Sequence, residues 1–189
     1  MSKRYTREGA DPLSLIPIDE ALLDDASASA RKSPRRRLIT RFHEHEDPLQ
    51  RMLNAVEPDS YVRPHRHTSA YKPEAFVALR GSLLVIRFDD DGAPLEGVIA
   101  NADGPVRGVE VPYKAWHCFI ALRPGTVVFE VTTGPYDPKT GNDYAPWAPP
   151  EDDRDAGLAF IAQMRRHFEP LLPGLSAIDQ IEAEENDIC

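Results

Sequence analysis

Between Arg36 and Thr133 the chain breaks into short apolar or alternating runs, each closed by residues that favour turns. The runs are Leu38 to Phe42, Gln50 to Val56, Ser60 to His67, Ala75 to Leu79, Ser82 to Phe88, Val98 to Ala100, Val106 to Val111, Trp116 to Leu122 and Thr126 to Val131. Turns fall at Glu57-Pro58-Asp59, Asp89-Asp90-Asp91-Gly92, Ala102-Asp103-Gly104-Pro105 and Arg123-Pro124-Gly125. That spacing predicts an all-β sandwich or barrel. Within Ser82 to Phe88, Leu83, Val85 and Arg87 share one face, and Leu84, Ile86 and Phe88 share the other. A strand apolar on both faces must be wrapped from outside, by terminal helices or by a second copy of the chain, so a homodimer joined through these outer faces is expected. No internal repeat is visible, which favours one barrel over two.

Helices are expected only at the ends. Asp19 is placed to cap a helix through Ala21, Leu22, Leu23 and Ala26 that stops before Pro34. Ala156 to Phe168 carries Leu158, Ile161, Met164, Arg165 and Phe168 roughly along one face, and ends before Pro170. The chain therefore divides into an N-terminal arm and helix (1–34), a β-barrel (35–151), and a C-terminal helix followed by an acidic tail from Ser176 to Cys189 (152–189).

Composition excludes several classes of function. A formal charge of -9 on 189 residues argues against a nucleic-acid partner, whose affinity would come from Lys and Arg neutralising phosphates. The cluster Arg31, Lys32, Arg35, Arg36 and Arg37 reads as a solvated strip that could still attract an anionic ligand. Neither a membrane-spanning apolar run nor a signal-like start is visible, so a cytoplasmic protein is expected. Cys118 and Cys189 do not form a disulfide framework, and Cys118 reads as a core thiol.

The chemistry concentrates at Val62-Arg63-Pro64-His65-Arg66-His67. On a strand His65 and His67 share a face and Arg66 takes the other, so two imidazoles can grip one ion. His117 offers a third imidazole and Glu74 a carboxylate. Three His and one Glu suit one divalent metal such as Fe, Mn, Ni, Co or Zn, with positions left for water or substrate. His43 and His45 make a second His-x-His, but without a matching third group they read as surface residues. Glu130, Tyr136 and Lys72 are of the right type to carry a proton. Arg51, Tyr61 and Arg63 either face solvent or line a cavity, where a guanidinium would hold a carboxylate or phosphate.

The pattern resembles the two metal motifs of the cupin superfamily, and more narrowly the WbuC-type cupin-fold metalloproteins. The narrower resemblance rests on Gln50-Arg51, Ser60 to His67, Gly134-Pro135-Tyr136 and Ala145-Pro146-Trp147-Ala148-Pro149, and covers roughly residues 35–151. In the first motif Gly81 is in place, Asp59 replaces the usual Gly, and six residues separate His67 from Glu74. In the second, Pro112 and His117 match, Lys114 stands where Gly is usual, and Ala121 where Asn is usual. Asn142-Asp143 stands where the family often carries Asp-Lys.

This resemblance implies a single cupin barrel (a double-stranded β-helix, or jelly roll) holding the metal on His65, His67, Glu74 and His117. It implies a bacterial protein linked to surface-polysaccharide synthesis, acting on a small sugar-like or anionic molecule as a sugar or sugar-nucleotide isomerase or epimerase. An Fe(II) dioxygenase and a metal-dependent sensor without turnover are the alternatives. The Pro-rich stretch from Tyr136 to Trp147 is expected to cover the barrel mouth, with Trp147 either stacking on substrate or plugging a gap beside the C-terminal helix.

Overall fold

The structure, a computed structural model, describes residues 4–6, 11, 13–68, 71–137, 139 and 141–172. The acidic tail and Cys189 lie outside the described residues, as does most of the arm expected over 1–16. Ten strands follow the first helix: α1 (Glu20–Lys32), β1 (Arg37–Arg41), β2 (Leu49–Val56), β3 (His65–Arg66), β4 (Glu74–Arg80), β5 (Ser82–Phe88), β6 (Pro94–Asn101), β7 (Gly108–Val111), β8 (Trp116–Ala121), β9 (Thr126–Thr133) and β10 (Asp143–Tyr144). A second helix, α2 (Arg154–His167), closes the described fold.

Two five-stranded sheets form, ordered β1-β2-β9-β4-β7 and β10-β3-β8-β5-β6, and every pairing within them is antiparallel. This is a single cupin-type jelly-roll barrel with a short helix at each end. Its core lies between the sheets, where Val56, Phe76, Val111 and Val128 meet Leu83, Val85, Phe119 and Ala121. Two further apolar layers cover the outer faces. Outside the first sheet, Leu22, Leu23, Ala26 and Ala30 of α1 pack on Phe42, Leu53, Ala55 and Val127. Outside the second, Ile161 and Met164 of α2, with Phe168 just beyond it, pack on Leu84, Ile86, Phe88 and Ile120.

That last layer corrects an expectation. Leu84 and Ile86 are fully buried and Phe88 is 3% exposed within one chain, so the face invoked for a homodimer is already covered by α2 and the segment before it. The cover comes from the same chain because α2 supplies a longer apolar edge than its few large residues suggest. The outer part of the core also holds Cys118, whose thiol burial pushes well above its ordinary pKa, in keeping with an inert core residue.

Local chemistry fixes the elements where sequence signals placed them. The Asp19 carboxylate accepts the Leu22 N–H at 3.0 Å and starts α1, and Asp153 does the same for α2 through Ala156 at 3.0 Å. Gly81 turns β4 into β5 at φ +69, where a Cβ would sit 2.5 Å from Thr126 Oγ1. Lys114 adopts φ 66, the left-handed turn that the usual Gly of the second motif would supply. Ser60 to Pro64 forms no strand, and only His65 and Arg66 join the ladder, because Pro64 has no N–H to donate. Among the described residues no helix is long and apolar enough to cross a membrane.

Candidate metal centre and cavity

Each inward-facing row of the barrel changes from apolar to polar toward one end. On β9 Val128 lies in the core while Glu130 and Thr132 line a cavity, and on β4 Phe76 is followed outward by Glu74. On β8 Phe119 gives way to His117, and on β2 Gln50, Met52 and Asn54 face the same space. The cavity they enclose has a volume of about 300 Å³.

At its floor His65, His67, Glu74 and His117 are all buried, and one ligand atom from each lies within 4.8 Å of every other. His65 and His117 sit opposite one another on β3 and β8, and Glu74 opens β4. The backbone orients all three rings. Nδ1 of His65 lies 3.0 Å from the Arg63 carbonyl, Nδ1 of His67 lies 2.5 Å from the Gly141 carbonyl, and Nδ1 of His117 lies 3.0 Å from the Ala115 carbonyl. A carbonyl can only accept, so each Nδ1 carries a proton, and in the neutral ring each Nε2 presents a lone pair.

Those lone pairs converge on another acceptor. His67 Nε2 is 3.0 Å from Glu74 Oε1 and His117 Nε2 is 2.8 Å from Glu74 Oε2, yet Nε2 of both rings and Oε2 have no hydrogen-bond partner in that tautomer. Two lone pairs would repel at this range, so the place between them is filled either by a second proton on an imidazole, as the raised pKa of His117 reflects in the metal-free site, or by a metal cation that displaces it. A divalent ion with bonds of about 2.1 Å would need opposed donors roughly 4.2 Å apart, so the set has to contract by only a few tenths of an ångström. These residues fit a metal.

Electrostatics agree. Burial, then the neighbouring His117, holds the His65 imidazole down to about 3, so it stays neutral as a ligand must. Glu74 is driven up by burial but down further by hydrogen bonds from His117 and His67 when those rings carry a second proton, and ends well below the usual carboxylate range in the metal-free site. His117 is pulled down by burial and more than restored by Glu74. Glu130, buried and close to Glu74, is pushed up to about 7, while Asn54 Nδ2 donates to its Oε2 at 3.0 Å.

The other expected site residues separate into two groups. Glu130, Tyr136, Lys72 and Arg63 line the cavity. Lys72 is 5% exposed, with its ammonium 5.2 Å from the centre of the Tyr136 ring. Arg51, Tyr61 and Trp147 lie elsewhere. Arg51 alternates with Gln50 and Met52 on β2, so it points out of the barrel and donates to the Phe42 carbonyl at 3.1 Å. Tyr61 packs under α2 against Phe160, its hydroxyl donating to the Pro149 carbonyl at 3.0 Å. Trp147 fills the gap beside α2, with ring centroids 5.2 Å from Phe88 and 6.2 Å from Trp116. It is the plug, not the stacking lid.

His43 and His45, expected at the surface, line the cavity instead. His43 is buried and its Nδ1 accepts the Arg51 N–H at 2.8 Å. Gln50 folds this segment inward by donating to the Asp47 carbonyl at 2.8 Å. Sequence reading also missed Arg41, Asn54 and Tyr144. Period-2 alternation along β2, with Leu53 and Ala55 under α1, would have placed Asn54 inside. Asp143 pairs with Arg66 at 2.8 Å, and Arg66 covers the Trp116 ring at 4.1 Å, so the acid that replaces the family's Lys serves to pin β10.

A single jelly-roll barrel with a buried His/Glu cluster at one end defines the class. A family described as a domain of unknown function (DUF6016) matches residues 18–99. No curated protein matches the chain. Among solved structures, it is similar to the capsular polysaccharide assembling protein CapF from Staphylococcus aureus, at 18% identity and a TM-score of 0.48, over 56% of this chain and 28% of that one. It is similar to a variant of Bacillus subtilis oxalate decarboxylase OxdC at 18% identity and a TM-score of 0.42, over 52% of this chain and 24% of the other. A protein of unknown function from Streptococcus pyogenes, SPY1581, is similar at 10% identity and a TM-score of 0.43, over 57% of this chain and 86% of its own. The chain thus spans under a third of the CapF chain. With scores this low, the fold assignment rests on the strand order and register above.

Proposed function

We propose that the chain is a mononuclear divalent-metal cupin of the WbuC type that moves a proton on a small sugar-like molecule, as an isomerase or epimerase serving surface-polysaccharide synthesis. The observation that carries the metal reading is the convergence of three imidazoles, each oriented by a backbone carbonyl, and the Glu74 carboxylate, with one ligand atom of each within 4.8 Å of every other. His65, His67, Glu74 and His117 would hold the ion. When bound, it would polarise a carbonyl or hydroxyl of the substrate and acidify the adjacent C–H.

Glu130 supports proton transfer over simple binding. It faces the same cavity, and Asn54 fixes one of its oxygens. In the metal-free fold burial and the neighbouring Glu74 push this carboxyl up to about 7, and a carboxyl held above its ordinary range can both take and return a proton. Isomerisation and epimerisation need that reversible step.

The test is incubation of the protein, loaded in turn with Mn, Zn or Fe(II), with a panel of neutral, carboxylated and phosphorylated aldoses and ketoses in D2O, while NMR follows deuterium entering the carbon next to the carbonyl of any of them. Exchange should occur with wild type and stop in Glu130→Gln at unchanged metal content. Oxygen consumption without exchange would replace this reading with the dioxygenase. Metal content at background in the wild type would remove both.

A further inference from the structure

The metal cluster accounts for the cavity floor but not for its wall. Arg35, Arg37, Arg41, Arg63 and Lys72 line the cavity, against the carboxylates of Glu74, Glu130 and Glu151. Each carboxylate is already engaged. Arg35 holds Glu151 at 2.7 Å and Arg37 binds the same group, Glu74 belongs to the His cluster, and Glu130 takes the Asn54 amide.

Arg41 and Arg63 make no ion pair with a carboxylate among the described residues, and Lys72 feels the charges of Glu74 and Glu130 without a direct ion pair to either. Arg63 donates to the Ala145 carbonyl at 2.8 Å and lies 5.4 Å from the centre of the Tyr144 ring, yet its Nε is buried and unpaired. Arg41 Nε is buried and unpaired as well. Lys72 is nearly enclosed, its ammonium over the Tyr136 ring. Burying guanidinium N–H groups without acceptors costs free energy, which an anionic ligand accepting from them would recover. Guanidinium forks match the two oxygens of a carboxylate or phosphate. Size narrows the ligand further. A cavity of about 300 Å³ suits a monosaccharide-sized molecule at its floor.

We propose that the cavity selects a monosaccharide-sized acid, its carboxylate or phosphate held by Arg41, Arg63 and Lys72 and its remaining polar groups directed at the His65–His117 floor. This names the substrate class of the site proposed above and rests on that reading only for the floor. The acid-binding half is made by side chains alone and is testable without metal.

Full-length protein treated with chelator is titrated with glucose, glucuronate, glucose 6-phosphate and inorganic phosphate, read by calorimetry and by the melting midpoint. At least one of the two sugar acids should bind saturably and raise the midpoint, where glucose at the same concentration does neither. Glucuronate alone would assign a carboxylate and glucose 6-phosphate alone a phosphate. Affinity should fall as salt is raised, and Arg41→Gln and Lys72→Gln should each weaken binding tenfold or more. Lys72→Arg, which keeps the charge, should recover most of the loss, so that a folding defect is not mistaken for a binding one. Glucose binding as tightly as the acids, no binding by either acid, or acids binding Arg41→Gln and Lys72→Gln as they bind wild type overturns the proposal. Separate metal analysis keeps the two readings distinct: metal uptake without acid preference removes only this one, and acid preference without metal uptake removes only the other.

Discussion

His65 and His117 occupy directly opposed positions on β3 and β8, with ring centroids 4.6 Å apart. The cluster is thus built across the β3–β8 pair, with His67 just beyond the end of β3. Wild-type protein should bind one divalent ion per chain, while His65→Ala and His117→Ala should bind less than a tenth as much by elemental analysis after dialysis. At a free metal concentration one hundred times the dissociation constant, wild type should gain roughly 2.7 kcal/mol of stability that neither variant gains. Equal metal content in all three proteins would sink the metal reading.

Acid should weaken the metal-free fold through the same residues. His65 moves from 6.5 in the unfolded chain to about 3 in the fold, so the unfolded chain binds the extra proton across that window. Its contribution to stability is complete above pH 6.5 and drains away as pH falls toward 3. Glu74, held below its ordinary 4.5, acts in the same direction at lower pH. His117, held above 6.5, acts in the opposite sense, its contribution complete below 6.5 and lost as pH rises through its folded value. Urea midpoints of His65→Gln between pH 4 and 7 should therefore fall less steeply on acidification than those of wild type, about 1 to 3 kcal/mol being recovered at the acid end.

Glu130 gives the opposite slope. Its carboxyl rises from 4.5 to about 7 on folding, so its contribution is complete below pH 4.5 and is lost as pH climbs through 7. Relative to wild type, metal-free Glu130→Gln should gain about 2 to 3 kcal/mol of stability between those limits, whatever offset the altered Asn54 contact adds at every pH. A pH-independent difference between the two proteins would show that Glu130 is not held protonated in the fold.

Trp147→Ala should act on folding and not on the cavity. The ring packs on Phe88 and Trp116 outside the barrel, and Gly92 approaches so closely that a Cβ there would lie 2.6 Å from it. Partial burial puts the cost near the low end of the usual range for such a truncation, roughly 3 kcal/mol by denaturant melts. Metal content per folded molecule should stay at the wild-type level.

Much of this was legible because barrel strands alternate strictly. Ser82 to Phe88 coincides with β5, and the His-x-His spacing put His65 and His67 toward one ion before any fold was in hand. Lys114 stands where the resembled motif usually has Gly, which left the turn geometry there open, and its backbone takes the left-handed conformation all the same. What alternation cannot supply is which face is inside. Arg51 and Asn54 belong to one run, and only the packing of Leu53 and Ala55 under α1 decides that Asn54 is enclosed and Arg51 is not. Tyr61 and Trp147 escaped for another reason. They lie in segments without a ladder, where position depends on contacts with α2 and with strands far away in sequence. Arg41 and His43 were missed because the end of a strand carries no local sign of which mouth of a barrel it reaches.

The bond between His67 Nδ1 and the Gly141 carbonyl joins a metal ligand to the stretch that runs from β9 to β10. An ion drawing on Nε2 makes the opposite N–H more acidic, and so strengthens its hold on that carbonyl. Loading the floor therefore tightens the rim: the same ring that senses the ion tethers the chain segment carrying Tyr136 and Tyr144. On the metal reading proposed above, the ion and the tie from His67 to Gly141 would reinforce each other, so that affinity for the ion and the position of Gly141 are linked through one ring.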